Sequence, residues 1–137
     1  MQKLSSGLAS LQVAYIQAQE GLDELGFNLG GNWDYRTGSL DRALDREHKV
    51  WLRLPFEVER GELDAEAEKT DAVIRFGQPY VLKHVYEEGL DQDAQPRTLG
   101  GFFDQFAAPS DPDAEIEDAW IREAERVLAE AEQRFIQ

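Results

Sequence analysis

Apolar residues recur along this chain with two different periods, and the change of period marks its organisation. Leu4, Leu8, Leu11, Tyr15, Ala18, Leu22 and Leu25 follow one another at alternating spacings of four and three. That spacing lines up one stripe of an amphipathic helix. Gly26 stands where a left-handed C-cap would end it. Gly7 and the alternation Leu11-Gln12-Val13-Ala14-Tyr15 leave residues 7–15 open between helix and strand.

From Phe27 the period becomes two. Phe27 to Tyr35 reads as a strand entered through Gly30-Gly31, a place for a bulge or a close backbone approach. Arg36-Thr37-Gly38-Ser39 reads as a turn, with a return strand in which Leu40, Arg42 and Leu44 alternate with Asp41, Ala43 and Asp45. A second turn covers Arg46-Glu47-His48. The clearest strand is Val50 to Val58, with Val50, Leu52, Leu54, Phe56 and Val58 on one face and Trp51, Arg53, Pro55 and Glu57 on the other. No helix fits that alternation. Pro55 lacks an amide hydrogen, which predicts an edge strand or a bulge.

After a turn at Arg60-Gly61-Glu62 and a polar stretch from Leu63 to Thr70, two more strands are expected, Ala72 to Phe76 and Tyr80 to Tyr86, separated by Gly77-Gln78-Pro79. Glu87 to Thr98 reads as an acidic loop, and Phe102, Phe103 and Phe106 as an apolar anchor. A last helix opens at Asp111-Pro112-Asp113, with Asp113 as N-cap and Glu115, Glu117 and Asp118 matched to the helix dipole. Ile116, Trp120, Ala124, Val127, Leu128, Ala131 and Phe135 form its buried stripe. The expected architecture is α+β: one domain over residues 1–137, with an antiparallel meander of about five strands packed by an N-terminal and a C-terminal helix.

Composition narrows the function classes. A chain of 137 residues with 42% hydrophobic and 31% charged residues can bury a core by itself. Cysteine is absent, which removes disulfides, thiol nucleophiles and cysteine-based zinc sites. The formal charge of −14 opposes phosphate backbones, and the basic residues form no stripe, so neither nucleic acid nor an anionic membrane is the expected partner. No apolar run has membrane-spanning length and the start lacks signal-peptide character, so a cytoplasmic location is expected.

Catalytic and metal motifs are scarce. His84, close in sequence to Tyr86, Glu87 and Glu88, reads as a sheet histidine satisfied by backbone or tyrosine, and His48 stands in a turn with no evident relation to it. Asp111, Asp113 and Glu115 alternate like the start of a calcium loop, yet Ile116 replaces its glycine and Arg122 its bidentate glutamate. Gly26, Gly30 and Gly31 make no phosphate loop. No metal and no cofactor is therefore expected, and the reading leans away from an enzyme. Aromatic residues supply the candidate surface instead. Trp33 and Tyr35 would share a strand face, Trp51 opposes the apolar set of its own strand, and Tyr80, His84 and Tyr86 line another face. Grouped on an open sheet face they would make a partner surface or a shallow ligand cup; under a helix they would be core.

Several segments, taken in order, resemble the YugN-like family of small bacillar proteins. They are Leu25-Gly26-Phe27-Asn28-Leu29-Gly30-Gly31-Asn32-Trp33-Asp34-Tyr35, Trp51-Leu52-Arg53-Leu54-Pro55-Phe56, Gly61-Glu62-Leu63-Asp64 and Gly77-Gln78-Pro79-Tyr80-Val81-Leu82-Lys83-His84-Val85-Tyr86. Gly89-Leu90-Asp91, Asp104-Gln105-Phe106 and Pro109-Ser110-Asp111-Pro112-Asp113-Ala114 continue the likeness, whereas the return strand Ser39-Leu40-Asp41-Arg42 is less aromatic than the resemblance leads one to expect. The resemblance implies a compact α+β fold in a cytoplasmic protein of a Gram-positive bacterium, and it carries no catalytic residue to this chain. Two functional expectations stand side by side. One is a non-enzymatic interaction domain that self-associates as a homodimer through the sheet face or edge carrying Trp51. The other is a small-molecule pocket, with or without catalysis, around Trp33, Asp34, Tyr80, His84 and Tyr86.

Overall fold

The computed structural model describes residues 1–63, 70–84 and 115–136. Its elements in chain order are β1 (Gln2–Lys3), β2 (Gln12–Ala14), α1 (Tyr15–Asp23), β3 (Asn28–Leu29), β4 (Thr37–Ala43), β5 (Val50–Arg60), β6 (Val73–Phe76), β7 (Tyr80–Lys83) and α2 (Asp118–Phe135). The strands form one sheet of seven, in the order β1-β7-β5-β4-β3 with β6 between β5 and β2, and every pairing is antiparallel. The expected α+β class stands. Two strands come from an N-terminal segment whose apolar spacing looks helical. Its backbone reaches across to other strands, with β1 on β7 and the later part on β6: Ser10 N–H donates to the Phe76 carbonyl at 2.7 Å, and Phe76 N–H to that of Leu11 at 3.0 Å, while Ala9 N–H to Ser6 and Leu11 N–H to Leu8 close only local turns. Leu4 and Leu8 are buried all the same. Residues 7–15 are thus mostly non-helical, and α1 begins at Tyr15.

Gly26 ends α1 as the pattern predicts. Its φ is +89°, its N–H donates to Asp23, and Phe27 N–H reaches back to Leu22. The pair of bonds is a Schellman closure, with Phe27 and Leu22 both buried across it.

β3 is shorter than expected. It stops at Leu29, and Trp33 and Tyr35 lie in the loop that follows. The cause is Asp34, whose Oδ1 accepts the N–H groups of Arg36 at 2.7 Å and Thr37 at 2.8 Å, while Asp34 N–H donates to the Thr37 carbonyl. A tight turn forms there, two residues ahead of the expected one, and β4 starts at Thr37.

β5 is central, not an edge. β4 pairs along one side of it, while β7 and then β6 share the other. Pro55 is tolerated because it falls at the break between those two partners. Its carbonyl accepts Gly77 N–H at 2.8 Å, so its nitrogen faces the Gly77-Gln78-Pro79 interruption, where no ladder hydrogen bond is needed. The bulge in β5 lies between Val58 and Arg60 instead. β6 and β7 therefore run end to end along β5 and do not form a hairpin with each other.

Among the described residues both helices contribute to one core with one face of the sheet. Leu52, Leu54 and Phe56 of β5, Leu40 of β4, Ile74 and Phe76 of β6 and Val81 of β7 meet Tyr15, Ala18 and Leu22 of α1 and Ala124, Val127, Leu128 and Ala131 of α2. The rings of Tyr15 and Phe56 touch at 5.8 Å between centroids. The buried stripe of α2 is the expected one, but the helix is capped at Glu117 and starts at Asp118. The proposed cap Asp113, the acidic loop 87–98 and the aromatic anchor 99–107 lie outside the described residues, as does Tyr86.

Candidate functional site

The opposite face of the sheet is polar. Residues directly across an antiparallel pair point to the same side, so Asp41 and Arg53 share this face with Tyr80, Thr37, Glu57 and Arg75. At its centre Asp41 is only 6% exposed. Burial of a carboxylate requires a partner, and Arg53 supplies a two-pronged one: Nε to Oδ1 and Nη2 to Oδ2, both at 3.1 Å. Arg53 Nη1 also donates to the Tyr80 hydroxyl at 3.4 Å, and its guanidinium lies 5.9 Å from the Tyr80 ring centre. Burial works against the charge of Arg53, but the bonds to Asp41 and Tyr80 outweigh it and hold its proton more firmly than in water.

Gly30 completes this centre from β3's side. A Cβ there would stand 2.7 Å from Asp41 Oδ2 and 3.0 Å from Ser39 Oγ, so the close backbone approach read from Gly30-Gly31 occurs at Gly30, with open space at Gly31.

Beside Arg53 an open groove of about 510 Å³ runs over Pro55, between Ser39 on one flank and Gly77 and Tyr80 on the other. Asn32 and Thr37 close one side, and Glu57 and Arg75 stand toward its far end. Arg75 is committed to Glu59 at 2.9 Å and to the Ser10 carbonyl at 2.8 Å. Tyr35, 66% exposed, projects from the same loop as Asn32.

The residues singled out in the sequence are dispersed. Tyr80 lines the groove. Trp33 packs against the core margin. Asp34 is spent on its turn, whose backbone N–H groups hold its carboxyl below the usual carboxylate range. His84 follows β7 and donates its N–H to the Lys49 carbonyl, whereas Thr37 pairs with Glu57. Asp34 and His84 are thus at opposite ends of β5, roughly 25 Å apart along the strand. His84 lies within electrostatic reach of Arg53 and Asp41, and burial together with the Arg53 charge keeps its imidazole below the usual range despite the opposing pull of Asp41. Trp51 is half-buried in the central strand, its indole N–H donating to the His48 carbonyl at 2.8 Å and its ring edge-on to His48. It marks no free edge.

Asp41 and Arg53 were not singled out by motif, yet a signal existed. A turn centred on Glu47 sets residues whose numbers sum to 94 opposite each other, and 41 + 53 is such a pair, an acid facing a base. Among the described residues no three His, Asp or Glu side chains gather as a metal site, and no helix is long and apolar enough to cross a membrane.

The YugN-like family matches residues 3–135. An uncharacterized protein, YugN of Bacillus subtilis, is 30% identical over 106 residues, covering 77% of this chain and 76% of that one. The crystal structure of an uncharacterized conserved protein, YugN from Geobacillus kaustophilus, superposes with a TM-score of 0.69 at 20% identity, over 98% of this chain and 94% of that one. This likeness shows a shared fold. The chain belongs to the YugN-like family.

Proposed function

We propose that this domain binds a small ligand in the groove beside Arg53 and does not transform it. The observation that carries the reading is the buried Asp41–Arg53 pair beside the groove, braced by Tyr80. A charged pair is a costly way to fill a sheet face, and apolar residues of similar volume often serve stability as well or better. A fixed polar group beside a concavity is, by contrast, the usual makeup of a ligand site, and about 510 Å³ suits a small molecule.

Binding without chemistry follows from how the polar groups are engaged. Both Asp41 oxygens accept from Arg53, and the Arg53 proton is held too firmly for acid–base exchange. The Asp34 carboxylate is occupied by its own turn.

A fragment collection with anionic, neutral and cationic members, followed by amide chemical shifts, tests the reading. Hits are expected to move the amides of Ser39, Arg53, Gly77 and Tyr80 together. A collection with no member acting there contradicts the proposal. Concentration-dependent sedimentation abolished by Trp51→Ala, with those amides silent, would favour self-association through this face instead.

A further inference from the structure

We infer that the ligand is a small monocarboxylic acid with an apolar body, its carboxylate seated on the outer edge of the Arg53 guanidinium. This deepens the groove reading and rests on it. A guanidinium carries five N–H donors in one plane. Asp41 takes the edge formed by Nε and Nη2, which leaves the second hydrogen of Nη2 and a hydrogen of Nη1 beyond the one given to Tyr80. With Tyr80 accepting the Nη1 hydrogen on the Cδ side, those donors form the edge between Nη1 and Nη2, the other edge that matches a carboxylate two-to-two.

The buried carboxylate of Asp41 locks the plane of the ring of donors before any ligand arrives. The Asp41 side chain is 9% exposed, whereas that of Arg53 is 25% exposed and lines the groove. The pair thus holds its anion away from solvent and turns its cation toward the groove. A preorganised donor pair of this kind loses little freedom on binding.

The rest of the groove sets the number of charges. Pro55 and the Tyr80 ring offer apolar surface for the body of the ligand. Glu57 lies four residues along β5 from Arg53, on the order of 13 Å away, and no hydrogen bond or ion pair is formed by its side chain among the described contacts. Arg75 stands across from it but is committed to Glu59 and the Ser10 carbonyl, so a second carboxylate reaching that end would meet the carboxylate of Glu57, which disfavours diacids. The net charge of −14 acts mostly beyond the roughly 8 Å screening length of physiological salt and slows encounter more than it weakens the seated complex.

Phenylacetate, phenylacetamide and phenethylamine share a body and differ in the head group, so calorimetric titration of the full chain with each separates the classes. Phenylacetate should bind at least tenfold more tightly than either analogue and shift the Arg53 Nε–H resonance. Arg53→Lys, which keeps a cation for Asp41 but lacks a two-donor edge, should weaken phenylacetate at least tenfold. Tyr80→Phe should weaken it less, and serves as the second variant if Arg53→Lys does not fold. Groove amides that respond equally to phenylacetamide or phenethylamine would overturn the carboxylate assignment and leave a binding groove standing. No response to any of the three, nor to other monocarboxylates in the fragment collection, would overturn the carboxylate assignment. Silence of the whole collection would remove the groove reading as well.

Discussion

The two faces of β5 are built on opposite principles although their residues alternate along one strand. On one face Leu52 and Leu54 are fully buried beneath the helices, and nothing about them is specific beyond size and shape. On the other, Arg53 is placed by directed bonds to Asp41 and Tyr80 and stays partly open to solvent. Apolar burial stabilises without direction, roughly in proportion to area. A hydrogen-bonded ion pair contributes less net stability but fixes a geometry. One face therefore holds the fold together, and the other holds a guanidinium in place.

The comparison can be broken most forcefully from the core side. Leu54→Ala should destabilise the protein by about 2–5 kcal/mol, measured by denaturant unfolding, because it opens a cavity where the native side chain is 1% exposed. A loss below about 1 kcal/mol would mean that the helices do not depend on this face.

Asp41→Ala comes next. It leaves Arg53 facing an empty site, and breaking a fully buried pair costs about 3–5 kcal/mol. Since Arg53 is partly exposed, about 2–3 kcal/mol is expected from the same unfolding experiment. Tyr80→Phe removes only the long 3.4 Å bond and should cost less than about 1 kcal/mol.

The smallest effect concerns His84. Its imidazole sits below the ordinary range through burial and the Arg53 charge, so folding favours the neutral form. The folded state therefore binds fewer protons than the unfolded one, and this group's contribution weakens stability as pH falls through the unfolded value near 6.5 toward the folded one. Arg53→Gln should raise the His84 midpoint in an NMR titration. An unchanged midpoint would show that the two side chains do not sense each other.

Much of the core face was legible in the amino-acid pattern, because Val50 to Phe56 and the stripe of α2 repeat their periods often enough to exclude alternatives. The N-terminal stripe misleads at Leu4 and Leu8, since a spacing of four and three satisfies any segment that must bury both residues, whatever its backbone does. Pro55 points to an edge only when neighbouring partners are continuous, and the interruption at Gly77-Gln78-Pro79 is a tertiary fact.

The polar face was half legible. Pairing of Asp41 with Arg53 follows from the local hairpin register, whereas Tyr80 reaches Arg53 through a long-range pairing that no local pattern specifies. The aromatic residues drew attention by type, but Trp33 and Trp51 are both committed to local packing, and of the described candidates only Tyr80 lines the groove.

Arg53 and Leu54 are neighbours in sequence and stand on opposite faces, so a matched pair of variants tests the division of labour most directly. Arg53→Lys and Leu54→Ala would each be measured for unfolding free energy and, at a temperature where both are folded, for phenylacetate binding. The account predicts a double dissociation. Arg53→Lys loses at least tenfold in affinity with about 1 kcal/mol or less of stability, while Leu54→Ala loses about 2–5 kcal/mol and keeps its affinity within about twofold. Equal losses of both properties in the two variants, or undiminished binding by Arg53→Lys, would contradict it.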